Sequence, residues 1–269
     1  MARGLNKVMI IGFVERDPGL DYMPDGRPVT SFCVSTDRRW TTSTGEKRKS
    51  TEWFNVVAWG SLAEAASQRL RKNRRVYAEG HLQTRSWEDA DGQRHFRTEM
   101  VADKLIPMDD REAIAQENLT NDNEQTPLCL NRVTIIGNLG RDPEMRYTPG
   151  GQAITSFSLA TTRPWIPAND ARRDTTEWFN VVSWGNLAEI CNKYLTKGRR
   201  VYIEGELRTR GWEQPDGKKH FRTELVTNEM ILLGPRPKTN SAEHAPHSKR
   251  LERQGKMDDQ DFKGVSENR

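Results

Sequence analysis

Residues 51–60 read Thr-Glu-Trp-Phe-Asn-Val-Val-Ala-Trp-Gly, and residues 176–185 read Thr-Glu-Trp-Phe-Asn-Val-Val-Ser-Trp-Gly. β-Branched and aromatic residues dominate both stretches, which predicts a strand. Two-residue alternation puts Phe54, Val56 and Ala58 on one face, a small apolar set suited to a core. Trp53, Asn55, Val57 and Trp59 fall on the other. The two indoles stand roughly 20 Å apart, six residues at about 3.3 Å each, with an amide between them. Buried tryptophans more often cluster with aliphatic neighbours. This face therefore reads as a platform for flat ligands, nucleic-acid bases being the obvious candidates.

The signature belongs to a larger duplication. Leu5–Ile106 aligns with Leu130–Ile231 at a constant offset of 125 residues, without a gap and with about half the positions identical. Upstream of the signature, each copy opens with an apolar run, Val8–Gly12 or Val133–Gly137, broken by Arg16-Asp17-Pro18 or Arg141-Asp142-Pro143. A short extended piece follows around Tyr22 or Tyr147, then a strand over Pro28–Thr36 or Ala153–Thr161 that leads to Trp40 or Trp165. Thr41–Ser50 and Ile166–Thr175 differ in sequence at equal length and read as hairpin tips.

Downstream, Ser61–Lys72 reads as a helix: Ser61 and Glu64 form a capping-box pattern, and Leu62, Ala65, Ala66 and Leu70 share a face. Asn73 and Gly198 suit the left-handed position beyond each helix. A long strand (Arg74–Glu88; Arg199–Glu213), an Asp-Gly reversal and a final strand (His95–Ile106; His220–Ile231) complete each copy. Five strands with a helix between the third and fourth is the element order of the OB-fold. The expected fold is thus all-β with one short helix per domain, a tandem OB-fold of two five-stranded Greek-key barrels. Residues 1–107 and 130–233 form the two domains, 108–129 an acidic polar linker and 234–269 a disordered polar tail.

Of 269 residues, 34% are hydrophobic and 30% charged, and no apolar run approaches the roughly 20 residues of a membrane span, so neither a membrane anchor nor a secretory signal is expected. Cys33, Cys129 and Cys191 share neither a spacing motif nor equivalent positions. They suggest no disulfide framework, metal site or cofactor, and fit a reducing cytoplasm. The net charge of +4 divides into +4 and +3 on residues 1–106 and 130–231, −5 on 107–129 and +2 on the tail. Mildly basic modules joined by an acidic linker are compatible with phosphate binding.

All eight tryptophans fall in equivalent pairs: Trp40/Trp165, Trp53/Trp178, Trp59/Trp184 and Trp87/Trp212. On the fourth strand, Gln83, Arg85 and Trp87 share a face, as do Arg208, Arg210 and Trp212. An indole among guanidinium groups makes a poor core and a good surface for bases and phosphates. Arg38/Arg163, Arg97/Arg222 and Arg74-Arg75/Arg199-Arg200 are further shared cations able to track a backbone. A nuclease would need clustered carboxylates or a base beside a nucleophile. The nearest candidate, the repeated His-Phe-Arg-Thr-Glu at 95–99 and 220–224, puts His95 and Glu99 about 13 Å apart along a strand, so no catalytic role is expected. An RNA-binding OB module is the remaining alternative, because stacking alone does not separate DNA from RNA.

The ordered pattern Leu-Asn-Lys-Val, Ile-Gly, Arg-Asp-Pro, Thr-Glu-Trp-Phe-Asn-Val-Val, Trp-Gly, Leu-Ala-Glu, Val-Tyr, Glu-Gly and Thr-Arg resembles the bacterial single-stranded DNA-binding protein family over nearly the whole of each repeat. The resemblance implies an OB-fold, no catalysis, and sequence-independent binding of single-stranded DNA in replication, recombination and repair. It also implies a cytoplasmic, nucleoid-associated location. Base-stacking aromatics are implied at the eight tryptophans; at Trp59 the common family residue is Phe, and both copies carry the larger ring. Two OB-folds per chain, as in the Deinococcus and Thermus lineage, imply a homodimer presenting four. The family tail ends in an acidic tip closing with Pro-Phe that docks replication and repair enzymes. Here only Asp258, Asp259, Asp261 and Phe262 are similar to it, seven residues from a terminus that reads Ser-Glu-Asn-Arg.

Overall fold

The structure is a computed structural model that describes residues 4–42, 44–88, 92, 94–110, 129–165, 173–213 and 219–234. Most of the expected linker and tail, with Asp258, Asp259, Asp261 and Phe262, lies outside the described residues. Both repeats belong to one compact unit, Met1–Gly234. The first contributes β1 (Leu5–Val14), β2 (Asp21–Tyr22), β3 (Pro28–Thr41), β4 (Lys47–Trp59), α1 (Ser61–Arg69), β5 (Arg74–Glu88) and β6 (Arg94–Asp110). The second contributes β7 (Leu130–Leu139), β8 (Glu144–Tyr147), β9 (Ala153–Trp165), β10 (Arg173–Trp184), α2 (Gly185–Tyr194), β11 (Arg200–Glu213) and β12 (Lys219–Leu233).

The mostly β composition, with one short helix per repeat, is consistent with OB-fold domains, but the expected pair of five-stranded barrels is not what forms. All strands join one twelve-stranded sheet in the order β2-β3-β4-β6-β5-β1-β7-β11-β12-β10-β9-β8. The physical reason lies in β1, because a strand has only two edges to pair. One edge serves β5 over Val8–Phe13, and the other is taken by β7 over Leu5–Ile11. Only Phe13 and Val14 remain to meet β3, and the opposite seam, β4 with β6, is likewise two residue pairs long. The sheet therefore does not close into a true barrel. The short extended pieces at Tyr22 and Tyr147 pair with β3 and β9, adding a sixth strand to each repeat.

The β1–β7 ladder sets Val8 against Val133, the equivalent residue of the other copy, with Leu5 opposite Ile136 and Ile11 opposite Leu130. Antiparallel pairing centred on equivalent residues relates the repeats by a pseudo-two-fold axis. The core beneath is built from the alternation expected: Val8, Ile10, Phe32, Val34, Phe54, Val56, Ala58, Val76, Ala78 and Leu82 are buried, as are Val133, Ile135, Phe157, Leu159, Phe179, Val181, Val201, Ile203 and Leu207. Asn6 clamps β5 into this core, its amide donating to Leu82 O at 2.8 Å and accepting from Leu82 N at 3.0 Å. Asn131 does the same to Leu207. Gly80 and Gly205 sit at matching register shifts, where an added Cβ would lie 2.0 Å from the Val101 or Val226 carbonyl oxygen. Only glycine permits that closeness.

The first helix departs from its expected ends. Gly60, at φ 59°, is the N-cap and Ser61 already helical, with no side-chain cap; the capping box does not form, and the helix stops at Arg69. Asn73 and Gly198 do adopt positive φ, 67° and 80°. The motif carboxylate of Asp17 accepts from Lys72 N at 2.6 Å beside that turn, and Asp142 from Lys197 N at 2.7 Å.

Candidate nucleic-acid interface

The β3–β4 and β5–β6 hairpins outrun the core. Past Thr36 on β3 and Leu82 on β5 no side chain of those two strands is buried, so the outer parts of these arms are open to a ligand. The signature strand spans the transition. Phe54, Val56 and Ala58 point inward as expected, and Trp53 is 60% exposed, its counterpart Trp178 55%. Trp59 and Trp184 are also exposed. Val57, expected beside them, is buried where β4 meets β6 at Val101. The platform is thus two separate indoles with a covered stretch between.

Trp40 on β3 and Trp87 on β5 are exposed as well, Trp87 opposite His95 in the arm. Trp165 and Trp212 occupy the equivalent strand positions, opposite Arg173 and His220; their side chains, with that of Arg163, lie outside the described residues. The Arg38 guanidinium sits 5.1 Å from the Trp40 ring centroid, and Arg27 sits 5.7 Å from that of Trp59. Cation and ring therefore present a joint surface to an incoming base.

The remaining cations differ in how they are held. Arg97 donates to the side-chain oxygen of Asn55, and Arg222 to that of Asn180, which fixes a guanidinium beside Trp53 and Trp178 in turn. Arg85 lies 3.9 Å from the buried carboxylate of Glu99. Arg208 is bound to Glu206, which also faces Arg38 of the first repeat at 3.6 Å. Arg210 is exposed. Among the described residues no group of three or more His, Cys, Asp or Glu is arranged to hold a metal. No helix among them is long and apolar enough to cross a membrane.

Two glutamates of the signature reach across the pseudo-two-fold. Glu52 accepts from Thr209 N of the opposite arm at 2.9 Å, and Glu177 accepts from Thr84 N at 3.0 Å. Burial pushes both carboxyls above the usual range, against the pull of those N–H donors. Each arm is thereby latched to the other repeat's signature strand. Between the arms runs a groove of about 730 Å³, lined by both repeats. A smaller niche of about 400 Å³ opens beside Trp59, bordered by Arg27, His81, Gln83 and, from the second repeat, Thr175 and Glu177.

Sequence reasoning missed Phe96 and Phe221, which line the larger groove and are 65% and 70% exposed. Their signal was the unchanged His-Phe-Arg-Thr-Glu of both copies, where a phenylalanine persists next to an arginine at a hairpin arm. It also missed Arg27, which has Gln152 as its equivalent and so leaves no trace in the comparison of the repeats.

Comparison with known proteins adds to this geometry. The Single-strand binding protein family matches residues 5–108 and again 130–233. The single-stranded DNA-binding protein of Thermus thermophilus is 32% identical over 239 residues, covering 87% of this chain and 88% of that protein. The single-stranded DNA-binding protein of Deinococcus radiodurans is 31% identical over 234 residues, 87% of this chain and 77% of that one. Among solved structures, the wild-type single-stranded DNA binding protein from Thermus aquaticus superposes with a TM-score of 0.67 at 26% identity, covering 88% of this chain and 96% of that chain.

Proposed function

This chain belongs to the single-strand binding protein family and binds single-stranded DNA without reading its sequence; we propose that it does so by stacking bases on Trp40, Trp53, Trp59, Trp87 and their counterparts Trp165, Trp178, Trp184 and Trp212. Arg38, Arg85, Arg97, Arg163, Arg208, Arg210 and Arg222 take the phosphates. Every base offers a π-face and every nucleotide a phosphate, so the contacts tolerate any sequence. It is a binding protein of DNA replication, recombination and repair, not an enzyme. The observation that carries the stacking mechanism is the pair Trp53 and Trp178, open to solvent and each flanked by a guanidinium anchored on the neighbouring asparagine. Titration with oligo-dT should quench tryptophan fluorescence strongly, and log K should fall by about 0.7 per phosphate contact for each unit rise in log salt. Weak quenching, or tighter binding to duplex, would count against this arrangement.

Residues 1–107 and 130–233 are proposed as the two binding domains, joined by the acidic segment 108–129 and followed by the tail 234–269. A homodimer presenting four such domains is supported by the sheet face turned away from the core. There Ile106, Tyr77 and Ile11 are neighbours across β6, β5 and β1, and Leu5, Ile136, Tyr202 and Ile231 across β1, β7, β11 and β12. Ile106, Ile231 and Leu5 are exposed on that band. Light scattering should give twice the 30.9 kDa chain mass, and Ile106→Glu with Ile231→Glu should return it to the monomer. Asp258, Asp259, Asp261 and Phe262 are proposed to dock replication and repair proteins, so deleting them should leave DNA binding intact. A cytoplasmic, nucleoid-associated location follows from this role.

A further inference from the structure

The groove on the pseudo-two-fold axis belongs to neither repeat alone. Trp53, Phe96 and Arg97 line it from the first copy, and Trp178, Phe221 and Arg222 from the second. Phe96 and Phe221 are the most exposed of the large apolar side chains among the described residues. Unlike tyrosine or tryptophan they have no polar tip to reward exposure, and large apolar rings left open to solvent at a groove mark a place where something binds. On the arms, alternation sets Phe96, opposite Ser86, on the face away from Arg85, Arg97 and Trp87. The arm carries an aromatic ring on each of its two faces.

From these placements we infer that the groove is a crossing site, through which one DNA strand passes from the first repeat to the second with its bases on Phe96 and Phe221. The charge fits a polyanion: Arg97 and Arg222 are fixed at its walls, and Glu52 and Glu177 are turned onto the backbone N–H groups of Thr209 and Thr84. The volume, about 730 Å³, lies within the roughly 300 to 1,000 Å³ of sites that enclose flat organic ligands. The latches matter here, because they hold the two arms at a fixed relation and so keep the passage open before DNA arrives. A strand is directional whereas the groove is two-fold related, so both strand polarities meet equivalent walls.

This inference rests on the single-strand binding reading, and one experiment separates the two. The full chain and its Phe96→Ala/Phe221→Ala variant are titrated with oligo-dT long enough to span both repeats. The wild type binds, and the variant binds at least about fivefold more weakly for each ring lost, the lower end of base stacking by alanine substitution. A Phe96→Trp/Phe221→Trp variant retains the affinity. Wild type that fails to bind oligo-dT would overturn the reading beneath; wild type that binds while the alanine variant is unchanged overturns the crossing site alone. Photocrosslinking of the unaltered protein to an oligonucleotide bearing two 5-iododeoxyuridines gives a second measurement. One oligonucleotide joined to the peptides of Phe96 and Phe221 of the same chain supports the crossing, and crosslinks confined to one repeat, or to tryptophan peptides alone, refute it.

Discussion

At the positions where the second repeat carries Glu206 and Arg208, the first carries His81 and Gln83. Arg208 gives the second copy a guanidinium at a position where the first has only an amide. Its extra guanidinium is spent internally: Arg208 Nε donates to Glu206 at 3.1 Å, and the same carboxylate faces Arg38 across the axis. In the first copy His81 and Gln83 border a niche beside Trp59, with Arg27 over the ring, where the second copy has Gln152. Two repeats with identical tryptophans thus offer unequal surfaces. Local charge balance, rather than the number of cations on a strand, decides which are available to a ligand.

The shared part of the comparison gives the largest expected effect. Trp53→Ala and Trp178→Ala should each weaken oligo-dT binding by about 1 to 3 kcal/mol, by similar amounts, with little change in thermal stability because both rings are mostly exposed. Isothermal titration at fixed salt measures it, and a loss confined to one variant breaks the equivalence of the two strands. Next in size is the contrast between Trp59→Ala and Trp184→Ala. Arg27 adds a cation–π contact only to the first, so Trp59→Ala should cost more by about 0.5 to 1 kcal/mol. Equal losses would mean the niche is idle.

How much of this was legible in the sequence depends on the range of the physics involved. Alternation is a nearest-neighbour property, so the inward set Phe54, Val56 and Ala58 and the exposure of Trp53 and Trp59 could be read from ten residues. Whether a sheet closes is a competition between edges far apart in the chain. Nothing around Leu5–Ile11 announces that β7 rather than β3 will take that edge. Val57 was misplaced for the same reason, since the strand that covers it arrives from Met100 and Val101. The helix start turned on one dihedral: Gly60 takes a positive φ that lets the chain reverse directly into Ser61, which leaves no place for a serine cap. Glu52 and Glu177 carry no local signal of a partner, because the N–H donors they accept from lie 157 and 93 residues away in the chain. Only the two-fold relation brings Thr209 and Thr84 to them.

Glu206→Gln addresses the asymmetry directly. Without its charge, Arg208 and Arg38 are released toward phosphate, and oligo-dT affinity at low salt should rise by up to about 1 kcal/mol, the scale of an exposed ion pair. The gain should shrink as salt is added, because released cations are screened. The converse change, His81→Glu, should lower affinity in the first repeat by a similar amount. Paired titrations at two salt concentrations check both, and an effect of the same size at high salt would point to altered packing instead.

The smallest effect concerns the latches, and it too differs between the copies. Burial is the leading cause that raises both carboxyls; Glu52 is also under the fields of Arg208, Glu206 and Arg38, whereas Glu177 has only the Thr84 N–H to oppose its burial. A carboxyl raised in the folded state binds more protons there than in the unfolded chain, so its contribution to stability falls as pH rises. The loss begins near the ordinary value of 4.5 and is complete once the pH exceeds the raised folded value. Glu52→Gln and Glu177→Gln keep an acceptor for the N–H and remove the titration. Each should therefore equal or exceed wild-type stability at neutral pH, by less than about 1 kcal/mol, with the difference vanishing below pH 4.5. Alanine at either site also removes the acceptor and should lower stability by about 0.5 to 1.5 kcal/mol at every pH. Thermal melts across pH 4 to 8 distinguish the two substitutions. In the Glu206→Gln background the Glu52 carboxyl loses a repelling neighbour and its folded value moves down, while that of Glu177 stays where it was, so only the Glu52 contribution to the melt profile should shift.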